Sequence, residues 1–473
     1  MADLEVLEGG REASTNGIGA NLPNSIDCVD KGYIRTGTVW TASAHIMTAV
    51  IGAGVLSLAW SVAQLGWIAG PAVMIVFAVV TFYSASLMAD CYRFPDPVKG
   101  PHRNMTYRDA VRVNLGGTKA WLCGLVQYVS LYGVGIAYTI TTSKSIRAIM
   151  QSDCYHKNGH GYHCDYSMYT CMIIFGITQV ILSQIPNFQN TWGISIVAAI
   201  MSICYATIGF SLGIAKVVEN GKVHGSIHGI SASTAISKEE KVFRVLRALG
   251  DIAFAYPYSV LVIEIEDTLK SPPPENKTMK KASLMVVVAT SFFYMLCGCF
   301  GYAAFGEDTP GNLLTGFGFY EPYWLVDFAN ACIVVHLVGA YQVFCQPLFA
   351  VIEDWFLKKW PSNKIINHEW DMRIPLLGSY NVKIFRLFWR TAFVVSTTGI
   401  AILFPLFNEV LGLLGAVNFW PLAVYFPLGM HIIQNKIQHW TFKWVRLQIF
   451  SFICLLVSIA AALGAIEGLV KSH

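Results

Sequence analysis

The sequence predicts an all-α polytopic membrane protein. Two five-helix halves are inserted in opposite senses, helices one and six are broken within the membrane, and an eleventh transmembrane helix follows. Three observations lead there. The 473 residues are 54% hydrophobic and only 13% charged, with a mean hydropathy of +0.50. A soluble domain carries about 25% charged residues. Eleven apolar segments are each long enough to cross a bilayer. Two of them, five spans apart, carry residues that interrupt a helix.

The segments run over 37–65, 67–91, 119–149, 168–186, 190–217, 244–269, 282–305, 322–356, 384–407, 409–433 and 444–469. They divide the chain into a polar cytosolic tail (1–36), a ten-helix core (37–433) and a last portion (434–473) holding the eleventh helix and a short extracellular C-terminus. The core splits into repeats over 37–217 and 244–433. The third and eighth segments are the longest and are expected to tilt or to extend beyond the bilayer. The tail lacks the apolar stretch of a signal peptide, and neither end carries a lipidation motif. A net charge of +4, with no basic cluster interleaved with aromatics, argues against a nucleic-acid surface. No nucleophile motif, phosphate loop or metal-ligand cluster falls at membrane depth, so neither enzymatic activity nor a cofactor or metal is expected.

Lysine and arginine set the orientation. With the N-terminus inside, most of the 33 fall in the tail, between Arg93 and Lys119, between Lys270 and Lys281, and between Lys358 and Arg390. Residues 306–321, on the outside, contain none. Cys154 and Cys164 then share an outer loop, where an oxidising compartment favours a disulfide. His156, His160 and His163 lie in or beside that loop, but their spacing matches no standard zinc pattern. The glycosylation-like triplets at Asn104 and Asn276 fall in inner loops and are expected to be chance matches.

The first break is the run Ala49 to Leu58, AVIGAGVLSL, with Gly52 and Gly54 inside a spanning helix. Glycine weakens the helix there. The freed backbone groups must be buried in protein or line a cavity, because hydrocarbon cannot satisfy them. The second break is GDIAFAYPYS, Gly250 to Ser259, where Pro257 removes a backbone donor and Asp251 places an acid near the end of a membrane segment. Five is odd, so the two halves have opposite topology, and paired interrupted helices mark the binding site in such repeats. The N–H groups of Gly52, Ala53 and Gly54, at a half-helix N-terminus, favour a carboxylate. The carbonyls around Phe254, Ala255 and Tyr256 favour an ammonium group. Together they describe a zwitterionic α-amino acid. Phe254, Tyr256 and Tyr258 are candidates to pack its side chain, with Tyr128 and Tyr132 of span three as further lining.

Several long blocks carry a resemblance. They are GTVWTASAHIMTAVIGAGVLSLAW, LGDIAFAYPYS followed by IEIEDTLKSPPPENKTMKKA, GCFGYAAFGEDTPGNLLTGFGFYEPYWLVDFANACIVVHLVGAYQVFCQPLFA, and GLLGAVNFWPLAVYFP. The chain resembles the plant amino acid permeases of the amino acid/auxin permease family, within the amino acid–polyamine–organocation group. The resemblance implies a LeuT-like fold and proton-coupled import of neutral and acidic amino acids at the plasma membrane. Two departures, Pro257 and Glu266, fall in span six. Alternatives are an auxin-type or other organic-acid carrier of the same family, and an amino acid receptor with little turnover. The short cytosolic stretches argue against a receptor.

A proton needs a titratable seat. Histidine suits it, and ionisable residues at membrane depth are usually functional. His45 lies about two turns before the first break, and the resemblance places it and His336 of span eight near the position that holds a cation in sodium-coupled relatives. Asp251 is the third candidate. Glu264, Glu266 and Asp267 are expected at a solvated helix end beside Lys270, and Lys144 is expected to snorkel.

Overall fold

A computed structural model describes residues 29–30, 33–159, 163–184, 192–231, 237–318, 323–363, 369–374 and 378–471. Most of the expected tail, His160 and the last two residues lie outside the described residues. Helix α1 (Val39–Val50) starts at a reciprocal cap: the Thr38 side chain accepts from Thr41 N–H, and Thr41 Oγ1 accepts from Thr38 N–H at 2.7 Å. It stops at Ile51, whose ψ of 82° is not helical. The chain resumes as α2 (Gly54–Ala89). Inside α2, Gly66 adopts φ 86° and ψ 178°, so α2 holds the second half of span one and all of span two, joined at a sharp corner. Only glycine fits that corner, since a Cβ on Gly66 would lie 2.2 Å from the carbonyl oxygen of Ile227. The loop after span five fastens it, with Ile230 N–H donating to Ala63 O and Trp67 N–H to Ser226 O.

The chain continues through α3 (Tyr107–Leu115), α4 (Gly117–Asn158), α5 (Met168–Leu182), α6 (Trp192–Asn220) and α7 (Lys238–Ala255). Span six then unwinds over Tyr256–Tyr258, makes one 3₁₀ turn (Ser259–Leu261) and ends as α8 (Val262–Glu266). Next come α9 (Glu275–Phe305), α10 (Tyr323–Lys359), α11 (Ile384–Leu403), α12 (Phe407–Asn418), α13 (Phe426–Gln434) and α14 (Phe442–Lys471). A π-helical stretch (Phe419–Tyr425) containing Pro421 joins α12 to α13 within span ten. Among the described residues, eight helical stretches are long and apolar enough to cross a membrane. The others among the eleven expected spans are α5, α11 and span one, which is split between α1 and α2.

The amphipathic α3 and the antiparallel hairpin Glu369–Ile374/Gly378–Lys383 lay outside the sequence reading, and α4 runs past residue 149 as far as Asn158. The α4 extension carries Cys154 to Cys164, and the two sulfurs are bonded with their Cα atoms 5.9 Å apart. The two sequons are inaccessible. Asn104 is fully buried and donates to Cys91 O, and Asn276 is buried and donates to Asp90 Oδ1.

Helix packing carries the inverted repeat that the sequence shows only through topology. Span one packs on six, two on seven, three on eight and four on nine. The pairing of one with five recurs as six with ten, and three with ten as five with eight. These contacts therefore reappear when every span is advanced by five. Two similar halves packed about one axis produce that pattern, and it sets the two breaks against each other at the centre.

Candidate substrate site

A narrow cavity lies between the breaks. Its walls are Ala49, Val50, Gly52 and Gly54 of span one, Ala253, Phe254, Pro257 and Val260 of span six, Ser130, Leu131, Val134 and Tyr138 of span three, Phe344 of span eight and Asn418 of span ten. Its volume is about 20 Å³ measured at the centre of a water-sized sphere, room for a water or two. The breaks approach closely because Gly54 has no side chain: a Cβ there would stand 2.8 Å from Cα of Ala255.

The N-terminus of α2 opens beside this cavity, and no side chain caps it. First-turn N–H groups have no partner within their own helix, so Ala53 and Gly54 remain suited to an anion. Gly52 differs from the expectation, since its N–H turns back to Val50 O at 2.9 Å. Two tyrosines hold the carbonyls of the breaks. Tyr294 of α9 has its hydroxyl 2.5 Å from Val50 O and 2.9 Å from Ala255 O. Tyr205 of α6 lies 2.9 Å from Ile51 O and 3.1 Å from Gly52 O. Each hydroxyl has one proton to donate, so each pair of carbonyls shares one donor.

His336 comes against the first break. Its Nδ1 is 2.8 Å from Ala198 O, so Nδ1 carries the proton and Nε2 is the acceptor in the neutral ring. Nε2 lies 3.7 Å from where a Cβ on Gly52 would stand, and the Tyr138 hydroxyl lies 3.1 Å from the same point. The ring also meets Tyr205 edge-on at 5.6 Å. Among the described residues, three buried polar atoms in or beside the cavity have no hydrogen-bond partner: His336 Nε2, Ser130 Oγ and Asn418 Oδ1. His45 is buried on α1 two turns earlier and is not among the lining residues.

The remaining candidates separate. Phe254 lines the cavity and Ala255 touches Gly54. Tyr256 and Tyr258 are buried and face span seven: Tyr256 packs edge-on against Tyr294 at 5.1 Å and lies beside Ser291, and Tyr258 lies beside Ser283. Unwinding at Pro257 turns these rings away from the cavity. Tyr132 donates to Ser396 Oγ at 2.9 Å, and Tyr128 contacts Arg108, so span three presents Tyr138 to the cavity instead. One helical stripe cannot include all three tyrosines, and the register of α4 selects the last. Asp251 lies off the cavity in the seam with spans ten and eleven, 3.4 Å from where a Cβ on Gly412 would stand.

The C-terminal end of span six corrects the expectation of a solvated acidic turn. Glu266 is fully buried, and Glu264 Oε1 accepts from Tyr107 N–H and Gln127 Nε2, each at 3.1 Å. Asp267 pairs with Arg35 at 2.9 Å and accepts from the Tyr92 hydroxyl at 2.8 Å. The segment before α1 folds across this end, Gly37 N–H donating to Thr268 O, and excludes the water that a free helix end would have. At the opposite end Arg247 of α7 pairs with Glu409 of α12 at 2.5 Å. Lys144 lies 4.9 Å from the centre of the Phe407 ring.

Broken spans one and six, an inverted repeat and a central cavity between ion-paired ends define a membrane transporter of LeuT-like fold, not an enzyme. The solved structure of MhsT in complex with L-phenylalanine shares the fold: it superposes with a TM-score of 0.56 at 12% identity, covering 92% of this chain and 100% of that one. The model of a family described as transmembrane amino acid transporter protein matches residues 35–471, and the chain belongs to that family. It is 58% identical to amino acid permease 3 of Arabidopsis thaliana over 434 residues, 92% of this chain and 91% of the relative. It is 56% identical to amino acid permease 6 of the same plant over 440 residues, 93% and 91% of the two chains. Lysine histidine transporter-like 6 is more distant, at 30% identity over 436 residues.

Proposed function

We propose that the protein is a proton-coupled symporter that imports neutral and acidic amino acids across the plasma membrane by alternating access, with its N-terminus cytosolic and its C-terminus extracellular. The reading is carried by the unpartnered trio of His336 Nε2, Ser130 Oγ and Asn418 Oδ1 around the α2 N-terminus. Buried polar atoms without partners are unfavourable, and a polar ligand resolves the cost. The substrate carboxylate would take the N–H groups of Ala53 and Gly54. Its ammonium group would take Ala255 O, which Tyr294 leaves open whenever it donates to Val50 O. Phe254, Val134 and Phe344 would pack the side chain.

The coupling energetics are sufficient. One proton crossing 100 mV gains about 2.3 kcal/mol, and one pH unit adds about 1.4 kcal/mol. Together these sustain an accumulation of roughly 500-fold for one proton per zwitterion. His336 Nε2 is the seat best placed beside the substrate, with His45 and Asp251 further along the same broken helices. The Arg247–Glu409 pair would close the outer end and the Arg35–Asp267 pair the inner end. Both are formed here, consistent with the small cavity.

Voltage clamp with a panel of amino acids at two pH values tests the reading. Proline or alanine should drive an inward current that grows on acidification and survives replacement of sodium. Uptake that needs sodium and ignores pH would overturn it.

A further inference from the structure

The seam between the outer half of span six and spans ten and eleven is packed backbone to backbone. A Cβ on Gly415 would lie 2.0 Å from Gly250 O, and one on Gly464 would lie 2.4 Å from Arg247 N. Inside this seam Asp251 is fully buried, and neither carboxylate oxygen has a hydrogen-bond partner among the described residues. A buried, unpaired carboxylate costs several kcal/mol as an ion. One turn earlier, on the same face of α7, stands Arg247. Its guanidinium is bonded to Glu409, its Nε has no partner, and it lies 5.2 Å from the centre of the Trp60 ring. Gly412 stands between the two side chains: its Cβ position is 3.4 Å from Arg247 Cγ and 3.4 Å from Asp251 Oδ1.

We infer that Arg247 exchanges between two carboxylates, Glu409 when Asp251 is protonated and Asp251 when that proton has left, so that proton binding at Asp251 latches the outer end of the cavity. Of the other charges around the seam, Lys144 lies over Phe407 within electrostatic reach of Glu409, Glu467 of α14 is bonded to Lys471, and Arg244 is bonded to Glu240. The proton balance is simple: one proton joins the Asp251 carboxylate, Arg247 keeps its charge throughout, and Glu409 gains or loses only its ion-pair partner. The inference rests on the symport reading for its direction, but the exchange itself can be measured without transport.

The test uses detergent-solubilised protein carrying Ser130→Cys as a reporter in the cavity, at one neutral pH, with labelling of the chain that keeps Ser130 subtracted. Glu409→Gln should raise the rate of reaction with a soluble thiol reagent about tenfold, because Arg247 is released to Asp251 and the outer end opens. Asp251→Asn alone leaves Arg247 only Glu409 to pair with, so it should label no faster than the parent. A Glu409→Gln rate equal to the parent's, or an Asp251→Asn variant as fast as Glu409→Gln, overturns the exchange. In voltage clamp, Glu409→Gln should move the midpoint of the pH profile at least about one unit toward acid, since a nearby cation favours the ionised carboxyl. An unmoved midpoint overturns the latch. Absence of any acid-stimulated current in the unmodified protein would sink the symport reading separately, with the labelling result still standing for or against the exchange.

Discussion

At Gly54 a hydrogen occupies the place where any other residue would push a carbon to within 2.8 Å of the Ala255 backbone. The contact is with main chain, which cannot rotate aside, so Gly54→Ala must separate the two breaks. Overpacking of this kind costs about 1–3 kcal/mol, and here the strain falls on the cavity itself. Affinity for a transported amino acid should drop roughly tenfold or more while the protein still reaches the membrane. Equilibrium binding to purified protein, beside a surface-expression assay, checks both parts. The two glycines were legible in the sequence as breakers. Their different duties were not: Gly54 admits span six, whereas Gly52 leaves room for Tyr138 and His336, and both depend on neighbours from distant segments.

Each broken span is an element whose halves need outside support, because a helix end carries main-chain groups without partners. Tyr294 supplies that support to both breaks at once, through Val50 O and Ala255 O. Tyr294→Phe should therefore lower stability by about 1–3 kcal/mol, seen as a fall in the melting temperature of the solubilised protein. Bound amino acid should restore little of it, since the lost donor also positioned Ala255 O. The span-six break was readable from Pro257. Tyr294 and Tyr205 were hidden, because a tyrosine in an apolar helix looks alike whether it packs or donates. The same ambiguity drew Tyr256, Tyr258, Tyr128 and Tyr132 into the expected lining, from which the register of the folded helices excludes them.

For the whole molecule, one ion pair stands at each end of the cavity, Arg35–Asp267 and Arg247–Glu409. Arg35 is almost wholly buried and shares Asp267 with the Tyr92 hydroxyl. Removing one member of a buried pair costs about 3–5 kcal/mol, because the other charge is left behind. Arg35→Ala should thus favour the state with that end open. A cysteine placed at Ser130 should then react faster with reagent applied from the cytosolic side of inside-out vesicles, while net accumulation of amino acid falls. Unchanged labelling would show that the pair does not close that end.

By itself the sequence determined the class of the molecule, its spans, the two breaks and the family. Those follow from local properties: apolar length, helix breakers and long blocks of residues in order. Only the tertiary structure decided which side chains meet at the breaks. It brought His336 to Gly52, took Asp251 away from the cavity into a seam with Arg247 and Glu409, buried Glu266, paired Asp267 with Arg35 of the segment before α1, and bonded Glu264 to Tyr107 and Gln127. Hydrophobic periodicity shows that a residue lies in a membrane helix. Which neighbour it faces depends on packing between segments hundreds of residues apart, and no local pattern records that.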